Sequence, residues 1–157
     1  MKLYLPALFF LFMSGCTSNS TDSLGAEDVK SRYKVGQVWA FKSRPSEPNA
    51  KLTIVKIEPD GKLGNIIHVY VDSVKIKTSA KPVKYSHVVS HMPFSEAAID
   101  SSVTKKIGEV TNLPNFQEGY NEWHTSFKAS NAGVFSIPVE KSIEYMETTM
   151  LKGNVVK

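Results

Sequence analysis

Two histidines, His87 and His91, stand four residues apart within Tyr85-Ser86-His87-Val88-Val89-Ser90-His91. On a helix that spacing sets two imidazoles side by side. The paired valines favour a strand instead, where four residues cover about 13 Å. A zinc ion needs ligand nitrogens about 2.0–2.1 Å away, so this pair cannot share one in that geometry. No glutamate follows His87, so the HExxH arrangement is missing. Ser90 and Ser95 place hydroxyls near His91, but a nucleophile also needs a third group to orient its base, and no G-x-S-x-G elbow occurs. Ser95 follows Pro93-Phe94 and has a simpler use as a helix cap. His91 is then expected in a loop ahead of a helix N-terminus, where backbone N–H groups can receive an anion. His91, His87 and Ser95 are the candidate ligand contacts. No catalytic set, metal set or cofactor is assigned, because the chain has no phosphate loop, dinucleotide fingerprint or Ca²⁺ loop.

Three further groups carry potential chemistry. Glu118, Glu122 and His124 offer a polar ligand face on one predicted helix, although such a face is more often simply solvated. Trp39, Tyr120 and Trp123 could line a sugar or peptide groove, although periodic spacing favours core packing for the aromatic residues. Lys51, Lys56, Lys62, Lys75, Lys77, Lys81 and Lys84 give the first half a basic cast. Lysines on strands discourage edge pairing, and they also suit an anionic lipid or polymer.

These residues sit on elements legible from periodicity. Gln37–Lys42, Lys51–Glu58, Asn65–Lys77 and Val83–Val89 read as strands, with a turn at Pro59-Asp60-Gly61-Lys62. Ile67, Val69 and Val71 hold odd positions, then Val74 and Ile76 hold even ones. That phase change predicts a bulge near Asp72-Ser73. Ile99, Val103 and Ile107 recur every four residues after Ser95, predicting a helix that ends at Gly108. Asn115 and Glu118 fit a loose capping box ahead of a second helix bearing Phe116, Tyr120, Trp123 and Phe127 on one face. Val134–Ile137 suggests a short strand. Pro138 opens a third helix carrying Val139, Ile143, Met146 and Met150. The expected fold is α+β: an antiparallel sheet of four to five strands, with three helices in the second half packing on one face.

The N-terminus is a different kind of segment. Lys2 precedes eleven apolar residues, Leu3–Met13. As a helix these span about 16 Å, against a hydrocarbon core of about 30 Å. The run therefore fits the apolar part of a secretory signal. Met13-Ser14-Gly15-Cys16 resembles the lipobox of bacterial lipoproteins, with Met in place of the usual Leu at its first position. The resemblance implies cleavage before Cys16, a diacylglycerol thioether on its sulfur and often a further acyl chain such as palmitate on the new amine. Thr17 in place of Asp implies the outer membrane in an enteric-type envelope. The divisions expected are a signal peptide at 1–15, the lipidated cysteine and tether at 16–31, one domain at 32–151 and a frayed tail at 152–157.

Composition bounds the rest. The chain has 157 residues, one cysteine and four histidines, and Lys and Arg exceed Asp and Glu by four. That excess is too small to argue for nucleic acid. One cysteine excludes a disulfide scaffold. Val35-Gly36-Gln37-Val38-Trp39, Ser90–Ser95 and Gly133–Pro138 resemble segments of a group of uncharacterised bacterial proteins, a resemblance that implies no activity. The expected role is a membrane-anchored, non-enzymatic envelope module that binds a protein or peptide partner, one version being an immunity or exclusion factor. The residues leave open a small hydrolase using His91 or His87, and a structural tether to an anionic polymer.

Overall fold

The computed structural model describes residues 31–153. The signal, Cys16 and all but the last residue of the expected tether lie outside the described residues. Five strands and three helices follow in the order β1 (Gln37–Phe41), β2 (Lys51–Asp60), β3 (Gly64–Ala80), β4 (Val83–Ser95), α1 (Glu96–Ser102), β5 (Val103–Glu109), α2 (Gln117–Lys128) and α3 (Val139–Gly153). The strands form one antiparallel sheet in the order β4-β3-β2-β1-β5. The fold is α+β, with the sheet built mainly from the first half and the helices from the second.

The bulge forms where the phase change places it. Ser73 adopts φ +59°. Pairing with β4 jumps there from Asp72↔Val88 to Ile76↔Ser86. Three residues of β3 thus stand where β4 has one. Ile67, Val69 and Val71 before the bulge, and Val74 and Ile76 after it, all enter one core. Leu52 and Ile54 of β2 and Met92 and Phe94 of β4 join them, and α1 and α3 close the core with Ala98, Ile99, Val139 and Ile143.

Ser95 caps α1, its hydroxyl accepting from the Ala98 N–H at 3.3 Å. The helix predicted to continue to Gly108 stops at Ser102. Val103–Glu109 instead becomes β5, pairing with β1 through Phe41↔Val103 and Gln37↔Glu109. Val103-Thr104 is β-branched, and β1 offers an unfilled edge, so a strand wins over the i, i+4 spacing. The expected strand at Val134–Ile137 shrinks to a single bridge between Phe135 and Phe94. Phe116 occupies the cap of α2 without a side-chain bond. Asn115 Oδ1 accepts from the Gln117 N–H instead of forming the expected box. Lys152 and Gly153, expected in a frayed tail, belong to α3.

The helices divide between the two sheet faces. α1 and α3 share the core face as expected, whereas α2 crosses to the opposite one. Strand alternation explains this placement: His68 and His91 occupy the opposite phase from Ile67, Val69, Met92 and Phe94. Both imidazoles meet the rings of α2.

Candidate functional site

His68 on β3 is fully buried under α2. Lys56 of β2 and Pro93 of β4 are its cross-strand neighbours. His68 Nδ1 lies 2.8 Å from His91 Nε2, and the rings stack with centroids 5.1 Å apart. Tyr120 and Trp123 meet the His68 ring edge-on at 5.3 and 4.9 Å. His124 stacks on Tyr120. Glu58 closes the group from β2. Its Oε1 accepts from the Tyr120 hydroxyl at 2.8 Å, and its Oε2 lies 2.9 Å from His68 Nε2. That last approach is close but off the line of the N–H, so His68 Nε2 has no formed hydrogen bond. Lys56 Nζ stands 3.6 Å from Glu58 Oε1 and 4.7 Å over the Tyr120 ring.

The carboxylate orders the protons. It only accepts, so its nearness favours hydrogen on Nε2 of His68, the tautomer in which Nδ1 accepts and His91 Nε2 donates. Burial pushes His68 down to about 4 against the pull of Glu58. Burial, aided by His68, also takes His91 to about 4. Both imidazoles are therefore neutral at pH 7. A sealed His68 cannot meet a substrate, and one nitrogen of His91 is spent on it. The chemistry suited to this arrangement is attachment: ring contacts and the Tyr120 bond to Glu58 fix α2 to the sheet, and the His68–His91 pair ties β3 to β4 beneath it.

The residues singled out in the sequence do not converge. His91 lies within β4 and packs under α2, not in a loop before a helix, because β4 extends to Ser95. His87 is exposed, with Nδ1 2.9 Å from the Val74 carbonyl oxygen. Ser95 is the α1 cap. Among the described residues no three His, Cys, Asp or Glu side chains come together as a metal site. His68 and Glu58 escaped the sequence reading. The signal for His68 was a second stripe on β3, Ile66, His68 and Tyr70, opposite the core stripe.

The same sheet face continues past α2 as an open groove of about 520 Å³. Val38, Thr53 and Tyr70 form one cross-strand row on its floor. Lys51 and Asp72 form the next row and approach to 3.5 Å. Residues 107–114 make the wall, with Ile107 50% exposed and Val110 and Leu113 also open to solvent. A smaller cavity of about 350 Å³ opens beside Glu58, Trp123, His124 and Phe127.

No family model, curated protein or solved structure matches the chain.

Proposed function

We propose that this chain is an envelope lipoprotein, acylated at Cys16, whose domain binds an extended segment of a protein partner without catalysing a reaction. The groove over Val38, Thr53 and Tyr70 is the observation that carries the binding reading. Its floor is apolar, hydroxyl and aromatic, and its wall leaves three large aliphatic side chains in water. Exposed apolar surface gathered at a concave site fits a partner. The lipobox residues support the anchor, and two acyl chains would hold it firmly where one would not.

Two experiments test the halves separately. Cys16→Ala should release the protein from membranes or leave it unprocessed. Normal processing with unchanged retention overturns the anchor. A photo-crosslinking residue at Tyr70 or Ile107 of the native protein should yield an adduct with one envelope protein. The same residue at Lys141, on the exposed side of α3, should not. Identical adducts from both faces, or none from the groove, overturn the binding reading.

A further inference from the structure

β3 and β4 outrun the rest of the sheet. The last β2 pairing is Lys51↔Asp72, so residues 73–88 form a two-stranded ribbon. This stretch carries Lys75, Lys77, Lys81 and Lys84 and no acidic residue. None of the four ammonium groups is ion-paired among the described residues. Nearby carboxylates exist but are committed elsewhere. Glu47 and Glu147 hold Arg44 and accept from the backbone N–H groups of Lys75 and Lys77. The acids thus grip the ribbon's main chain and leave its charges free.

The ribbon is also apolar where charge alone would not require it. Val83 is 55% exposed, Tyr85 48% and Val88 41%. Lys75 Nζ lies 4.9 Å over the Tyr85 ring, and Lys77 faces Tyr85 across the strands. Edge protection does not explain the pattern. The open side of β3 at Lys75 and Lys77 is already closed by the two carboxylates, and an edge meant to repel partners would not display Val83 and Val88. A tyrosine and valines ringed by flexible lysines suit the boundary between lipid headgroups and acyl chains.

We infer that the β3–β4 ribbon is a second membrane contact that docks on anionic phospholipid. The inference rests on the proposed anchor for its local concentration and is independent of the groove. The domain's first described residue, Ser31, bonds Glu96, which also holds Asn65 near the start of β3. From Asn65 to the ribbon tip, β3 covers up to about 50 Å at roughly 3.3 Å per residue. Anchor and ribbon would therefore hold the domain at opposite ends and lay it along the bilayer.

The test uses the full chain as its host produces it, with Val83→Cys labelled by an environment-sensitive dye and reconstituted into vesicles. On vesicles containing phosphatidylglycerol the dye should shift to the blue, and high salt should reverse the shift by screening. Neutral phosphatidylcholine should give none, and neither should a label at Thr148→Cys on α3. Each of Lys75→Glu and Lys84→Glu should weaken the response by fivefold or more. No shift on anionic vesicles with which the protein still co-floats overturns the ribbon and spares the anchor. Failure to co-float with neutral vesicles overturns the anchor. The ribbon is then judged by flotation on anionic vesicles, where salt-sensitive binding supports it and no binding overturns it. A shift produced by soluble polyphosphate and not by anionic vesicles overturns the lipid contact in favour of a polymer.

Discussion

His68 Nδ1 and His91 Nε2 share one proton across 2.8 Å, beneath a helix that contributes no residue to the main core. Both residues bind protons less readily in the folded domain than in the unfolded chain, since burial lowers each from about 6.5 to about 4. Their contribution to stability is therefore complete above pH 6.5 and lost as pH falls towards 4. For His68 the loss is about 2–3 kcal/mol. Urea unfolding at pH 7.5, 5.5 and 4.5 should show the decline. His68→Gln combined with His91→Gln should flatten it while lowering stability at neutral pH. A decline of unchanged size in the double variant would assign it to other groups.

Glu47 should be the costliest carboxylate to remove. It is buried, and burial alone would raise its pKa, yet the Arg44 fork and the Lys75 N–H bring it below the ordinary carboxylate range. Glu47→Ala leaves Arg44 half-paired in a poorly solvated site and should cost about 3–5 kcal/mol. Glu147→Ala should cost less, about 1 kcal/mol, because Arg44 keeps its fork to Glu47. Thermal unfolding of both variants checks the ranking.

Gly36 has little room for a side chain. Its φ is +89°, and an added Cβ would lie 2.5 Å from the Val110 carbonyl oxygen. Gly36→Ala should cost about 2–4 kcal/mol through backbone strain and a clash that cannot rotate away. Val110 lines the groove, so crosslinking from Tyr70 should fall as well. Stability and crosslinking both unchanged would mean the 107–114 wall shifts freely.

Trp123 is half-buried. Its indole N–H donates to the Gly133 carbonyl at 2.8 Å, and its ring stacks on Phe127 at 4.7 Å. Trp123→Ala should cost about 2–3 kcal/mol, below the 3–5 kcal/mol of a fully buried ring. Tyr120→Phe, which keeps the ring and removes the hydroxyl that bonds Glu58, should cost about 1 kcal/mol. Denaturant titration separates the two.

How much of this could be read from the sequence follows from the range of the interactions. The strands and the break at Asp72-Ser73 were legible because a period of two is written into neighbouring residues. β5 was not, because Ile99, Val103 and Ile107 satisfy a helical spacing and only the vacant edge of β1 decides otherwise. The candidate site was legible in fragments. Tyr120 and Trp123 shared a visible face, but that face meets imidazoles where aliphatic core was expected. Glu58, His68 and His91 come from three strands, and no local pattern announces that they will meet.

The left-handed turn of Ser73 has a lasting effect on how this chain can vary. From there to the next break in register, between Lys77 and Ser79, each residue's side of the ribbon is decided by counting from that point. A single residue inserted directly after Ser73 would turn Lys75 and Lys77 to the side that α3 covers and expel Val74 and Ile76 into water. Two inserted residues would restore the arrangement on a longer arm. Between Ser73 and the break after Lys77, the arm changes length in even steps only.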